Sequence, residues 1–227
     1  MKTPHPLRSE SPLIVYMDFK SPYAYMALEP TYQLEDDLGI EIDWRPLTLD
    51  IPSFLGSARV DNKGRVTESR RSDEQWANVR YAYRDTKRTA RHRDIILKGT
   101  VKIWDSSLAA IGLMWVKAHG RDSLKSFFFN VYEKFWKREL DIEDVAVIEA
   151  MLDAAGTQVA GFRQYASGEG RRVHDSLQDS LHPAGLFGVP SYVVDGQIFF
   201  GREHLPAVRW CLEGREGPAP DVAYGVW

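Results

Sequence analysis

Cysteine is almost missing from this chain: of 227 residues, one is cysteine, Cys211. A lone thiol excludes an intrachain disulfide, a CxxC redox pair and a thiolate metal cluster. Long apolar runs are missing too. The first, Leu13 to Met17, meets Asp18 at once, which is too short for a secretory-signal core or a bilayer span. Neither sign of charge dominates, with Lys plus Arg at 29 and Asp plus Glu at 32 for a net charge of −3. Bulk attraction to nucleic acid or to an anionic membrane is therefore not expected. The six histidines show no ligand spacing such as HExxH, so no metal is expected. Together these absences predict a cytoplasmic, soluble protein.

What is present is enough apolar material for a core. The chain is 44% hydrophobic and 12% aromatic, which excludes disorder, and its length suits one domain with an insertion. Leu13 to Met17 reads as a short buried strand between Pro12 and Asp18. Ser21-Pro22 then reads as a helix start, since serine caps well and proline at the first position gives up an N–H that would be unpaired anyway. That helix is expected to run to Leu38, kinked at Pro30, and to stop at Gly39. Ile40 to Leu47 alternates as a second strand, and the charged stretch Gly56 to Glu74 reads as a loop.

Helical periodicity dominates the middle of the chain. The spacing predicts helices over Asp73–His92, Ser106–His119, Leu124–Trp136, Ile142–Ala155 and Val159–Leu186. The pattern then changes: Val193-Val194 and Ile198-Phe199-Phe200 flank Asp195-Gly196, a pair that favours a two-residue hairpin turn. Glu203 to Leu212 reads as a last helix, with Cys211 a small buried residue on it. The order strand, helix, strand, helices, hairpin, helix is that of an α/β thioredoxin-like fold with an all-helical insertion at about 75–186. A single domain over 12–213 and a tail over 214–227, including Tyr224, Val226 and Trp227, complete the expected organisation.

Three segments go beyond periodicity. Tyr16 to Tyr25 (YMDFKSPYAY), Gly188 to Gly196 (GVPSYVVDG) and Phe200 to Leu205 (FGREHL) resemble segments of the 2-hydroxychromene-2-carboxylate isomerases and kappa-class glutathione transferases. These belong to the DsbA-like branch of thioredoxin folds. The resemblance implies a glutathione-dependent isomerase or transferase acting on a small aromatic electrophile. Glutathione would be the cofactor, and a homodimer is the assembly to test for. Ser21 would stand where DsbA-like oxidoreductases carry their first redox cysteine and would donate to the glutathione sulfur, with Pro22 and Tyr23 beside it. Val189, before a cis-Pro190, would offer its backbone to the tripeptide, and Arg202 and Glu203 would take its γ-glutamyl end. Asn62 would help hold glutathione after the second strand.

Each residue also has a plainer reading. Ser21 serves equally as a helix cap, Val189–Pro190 as a trans loop ending, and Glu203 as an acid complementing a helix dipole. Arg80, Arg84, Arg88 and Arg91 lie at helical spacing, either as a solvated face or as a stripe that gains from an anion. Two other functions fit the same pattern: a non-catalytic module binding glutathione or a peptide strand, and a disulfide oxidoreductase, against which the single cysteine counts.

Overall fold

The computed structural model describes residues 3–61 and 63–221. Asn62 and the aromatic tail residues Tyr224, Val226 and Trp227 lie outside the described residues. The chain opens with β1 (Leu13–Met17), α1 (Pro22–Leu38) and β2 (Ile42–Pro46). Next come α2 (Ile51–Leu55), β3 (Ala58–Val60) and β4 (Val66–Ser69). The helices α3 (Asp73–His92), α4 (Ser107–His119), α5 (Leu124–Trp136), α6 (Val145–Ala154), α7 (Phe162–Ser167) and α8 (Glu169–Leu181) follow. β5 (Ser191–Val194), β6 (Gln197–Phe200) and α9 (Leu205–Leu212) end it. One compact unit combines the chain up to Leu47 with the chain from Arg172 onward, and the other is Thr48–Arg171.

The first unit is built on a sheet in the order β2–β1–β5–β6. β1 pairs parallel with β2 and antiparallel with β5. It is apolar throughout, with all five residues buried, because a central strand covered on both faces has no solvent side to alternate towards. α1 starts on the Ser21 cap and ends at Gly39, whose φ of 59° lets its N–H reach back to Asp36. It runs unbroken through Pro30. β2 carries a buried cation, Arg45, 4% exposed. Its guanidinium donates to the Asp43 carboxylate at 2.6 and 2.9 Å and to the carbonyls of His5 and Arg8 at 2.6 and 2.8 Å. Burial opposes that charge most strongly of any single influence, but the hydrogen bond and charge of Asp43, with those of Tyr16, together outweigh it, so the Arg45 pKa lies above its ordinary value.

The second unit gathers around α4, which packs on α5, α6 and α7. Gly112 is the close-approach point: a Cβ there would lie 2.9 Å from the Phe127 ring and 3.0 Å from Ile148. Phe127, Phe128, Val131, Ile148, Leu152 and Phe162 are buried around it.

Three sequence expectations change. The stretch Gly56 to Glu74, expected as a loop, contains the antiparallel β3–β4 hairpin; every residue of β4 is exposed, so no apolar alternation announces it. The helix expected over Val159–Leu186 is divided into α7 and α8 at Gly168, whose φ and ψ of −120° and −104° are not helical, and a 3-10 turn over His182–Ala184 follows. The final helix begins only at Leu205, after a separate 3-10 turn over Arg202–His204.

Candidate functional site

Strand register brings the three motif segments to one end of the sheet. Tyr16 near the exit of β1 stands opposite Ser191 at the entry of β5, and Ser191 stands opposite Phe200 at the exit of β6. The β1–α1 junction, the loop before β5 and the turn after β6 therefore converge. Ser21, Pro22, Tyr23, Val189, Pro190, Arg202 and Glu203 all belong to these segments, whereas Asn62 is outside the described residues.

At the β1–α1 junction the chain turns on Asp18. The Ser21 N–H donates to the Asp18 carbonyl at 3.0 Å, and the Lys20 N–H donates to Asp18 Oδ1 at 3.1 Å. Lys20 Nζ then lies 3.3 Å from Asp18 Oδ2, with both side chains at most 5% exposed. Ser21 has extended backbone angles, and its Oγ accepts from the Ala24 N–H at 3.2 Å. The cap expected from sequence is thus made. It uses one lone pair and leaves the hydroxyl proton to be donated. Ser21 is 5% exposed, so a charge placed against it would be weakly screened.

The loop before β5 is built for close approach. The Val189–Pro190 peptide is cis. Ser191 Oγ donates to the Gly188 carbonyl at 2.7 Å, and the Gly201 N–H donates to the Pro190 carbonyl at 2.9 Å, which prolongs the β5–β6 ladder. Among the described residues, neither the N–H nor the C=O of Val189 takes part in a backbone hydrogen bond.

The turn after β6 depends on Gly201, whose φ of 107° and ψ of 146° are open only to glycine. A Cβ there would collide with the Glu203 carboxylate, which folds back over it. Glu203 is exposed and Arg202 half-buried. Beneath them Tyr192 is fully buried, its hydroxyl 3.1 Å from Thr31 Oγ1 on α1. Burial pushes the Tyr192 phenol well above its ordinary pKa; the Thr31 hydrogen bond lowers it, the charge of Glu203 raises it and that of Arg202 lowers it. Strand and turn are thereby electrostatically joined.

Sequence reasoning missed the buried Asp18–Lys20 pair. Its only signal was two charges flanking one aromatic between a strand end and a helix cap, a pattern that ordinary loops share. The arginine stripe lies on α3 in the second unit, where Arg88 pairs with Asp85 at 3.5 Å. Cys211 is buried near the end of α9. Among the described residues no group of His, Cys, Asp and Glu could hold a metal ion, and no helix is long and apolar enough to cross a membrane.

Comparison with known proteins follows the same lines. The chain is 25% identical over 191 residues to the 2-hydroxychromene-2-carboxylate isomerase of Sphingobium xenophagum, covering 84% of this chain and 92% of that one. Its fold is similar to a solved 2-hydroxychromene-2-carboxylate isomerase, with a TM-score of 0.65 at 18% identity over 89% of this chain and 94% of that chain. It is also similar to the cytosolic disulfide reductase DsbM from Pseudomonas aeruginosa, solved with GSH, with a TM-score of 0.60 at 13% identity over 89% and 98% of the two chains. The family model of the DSBA-like thioredoxin domain matches residues 12–212. A match that runs from just ahead of β1 to the end of α9 means that this chain belongs to the DsbA-like thioredoxin-domain family.

Proposed function

We propose that the protein is a glutathione-dependent isomerase or transferase acting on a small aromatic electrophile. The observation that carries this reading is Ser21: a buried hydroxyl at the start of α1 whose cap bond leaves its proton to donate. The residues around it suit glutathione. Val189 offers backbone groups for pairing with an extended peptide, and the exposed Glu203 carboxylate suits the γ-glutamyl ammonium.

When bound, glutathione supplies a thiol nucleophile that this chain does not itself provide at the site. Ser21 donates its hydroxyl proton to the sulfur position and favours the ionised form there. The N-terminal end of α1 adds a partial positive charge in the same place. The Asp18–Lys20 pair holds the turn that aims Ser21, and breaking such a buried pair by removing one partner costs about 3–5 kcal/mol. Val189 and Glu203 orient the rest of the tripeptide, so that binding and thiol activation rest on different residues. The resemblance to the isomerase, which spans most of both chains, supports an isomerisation that uses glutathione without consuming it.

The test separates activation from binding. In Ser21→Ala the thiol of bound glutathione should titrate about 1–2 pH units higher, the equivalent of a charge-assisted hydrogen bond of about 1.5–3 kcal/mol. Binding should largely persist. The measurement is thiolate absorbance of the complex across pH, with turnover of a panel of aromatic electrophiles alongside. Ser21→Cys should trap glutathione as a mixed disulfide when an oxidant is supplied, because the helix start would favour a cysteine thiolate there. A Ser21→Ala complex that titrates like wild type would reduce Ser21 to a cap. Binding without turnover of any electrophile would leave a binding module.

A further inference from the structure

We propose that the second unit carries its own binding site, for a small organic dianion, in the hollow formed by the β3–β4 hairpin and the segment around Lys102. This hollow has a volume of about 520 Å³ and is lined by residues 57–59, 68–70 and 102–103, a size typical of small-molecule sites. Three separate stretches of chain meet there and are fastened to one another. The Arg70 N–H donates to the Ser57 carbonyl at 2.8 Å, and the Val60 N–H donates to the Val101 carbonyl at 2.9 Å. None of this belongs to the Ser21 site.

The charges lining the hollow are unevenly matched. Arg59, Arg70 and Lys102 face a single acid, Glu68. Lys102 is held in place by Glu143 and by the Trp104 ring, 4.2 Å from its ammonium. Arg59 is only loosely paired with Glu68, at 3.8 Å with both side chains well exposed, so a ligand can recruit it at little cost. Arg70 makes no ion pair among the described residues and is the surplus charge. Two guanidinium groups within one hollow suit paired oxygens of carboxylate or phosphate, which a planar fork grips bidentately.

The hydroxyl between Glu68 and Arg70 is already engaged elsewhere. Ser69 Oγ already accepts from the Arg71 N–H at 3.2 Å and from Trp76 Nε1 at 3.0 Å. A serine oxygen has two acceptor positions and one proton. Both positions are filled, on the face of the hairpin opposite Arg59, Glu68 and Arg70. Ala58 and Ile103 complete the lining with apolar contact, enough to seat a short carbon skeleton. The ligand is thus a compact dianion, either a phosphate monoester or a dicarboxylate.

Isothermal titration tests this at constant ionic strength, with phenyl phosphate in one arm and succinate in the other, and chloride as the control. One arm should saturate at one equivalent in the wild-type protein, and the arm that does so names the source of the charge. Arg70→Gln, an exposed position that should fold normally, should weaken that binding by about tenfold or more, as expected for loss of a bidentate contact. The proposal is overturned if neither arm saturates, if chloride gives the same response, or if Arg70→Gln binds like wild type.

Discussion

The chain contains two hairpins of similar size and opposite character. β5–β6 is part of the main sheet, with all of β5 buried, and turns through Asp195 and Gly196 at φ of 50° and 75°. Both values are positive, as a two-residue type I′ turn requires. β3–β4 stands apart in a two-stranded sheet, is exposed along β4, and shifts register between Arg59 and Val60. Its turn is organised by Asp61, whose carboxylate accepts the N–H groups of Lys63 at 2.8 Å and Arg65 at 2.9 Å. Those bonds, with the Arg65 guanidinium, hold the Asp61 carboxyl below its ordinary pKa. Apolar burial sets one hairpin and local polar bonding sets the other. In this protein the hairpin of the main sheet leads into the turn of the proposed glutathione site, and the exposed one carries the proposed anion site.

The largest expected contrast comes from truncating matched strand residues. Tyr192→Ala on β5 removes a fully buried ring and should cost about 3–5 kcal/mol, the range for buried aromatics. Val66→Ala on β4, where the side chain is 53% exposed, should stay within about 0.5 kcal/mol. Urea unfolding of the two variants measures both. Equal losses would mean that β3–β4 is as much a part of the cooperative core as β5–β6.

A smaller effect is expected at the end of β6. Gly201→Ala forces an L-residue into a glycine-only conformation and drives its Cβ against Glu203, for a cost of about 1–3 kcal/mol. Glutathione affinity should fall together with stability, because the turn that presents Glu203 is displaced. Thermal unfolding with and without glutathione tests both halves. Unchanged affinity in the destabilised variant would remove Glu203 from the proposed site.

The smallest effect separates ring packing from the phenol. Tyr192→Phe keeps the ring and loses the hydroxyl contact with Thr31, at about 0.5–1.5 kcal/mol near neutral pH. The folded pKa of Tyr192 is raised, primarily by burial, whereas the unfolded phenol titrates near its ordinary value of about 10. Below that value both states hold the proton and the stability is fully present. As pH climbs past it, only the unfolded chain ionises, so stability falls until the folded phenol also titrates. Tyr192→Phe should therefore show a shallower alkaline loss of stability. Tyr16 and Tyr165, also raised by burial, should keep part of that loss in place. An identical alkaline limb in the variant would mean that the phenol is not shielded.

The contrast between the hairpins also marks how far the sequence could be read. β1, α1 and the β5–β6 turn were legible because each follows a local rule: a short apolar run, Ser-Pro at a helix start, Asp-Gly between apolar pairs. Helices over Asp73–His92 and Leu124–Trp136 match the structure at both ends because their buried positions repeat at helical spacing. The sequence alone thus determined the class of fold, the absence of a cysteine pair and the serine at the start of α1. Tertiary structure decided what no local pattern encodes. It buried the Asp18–Lys20 pair, which looks solvated in sequence, and it folded the charged stretch after α2 into a hairpin held by polar bonds. It also brought Ser21, Val189 and Glu203 to one end of the sheet, because antiparallel register joins residues far apart in the chain. The physical reason is one of range: capping, turn and periodicity preferences act over a few residues, whereas burial of a charge depends on every segment packed around it.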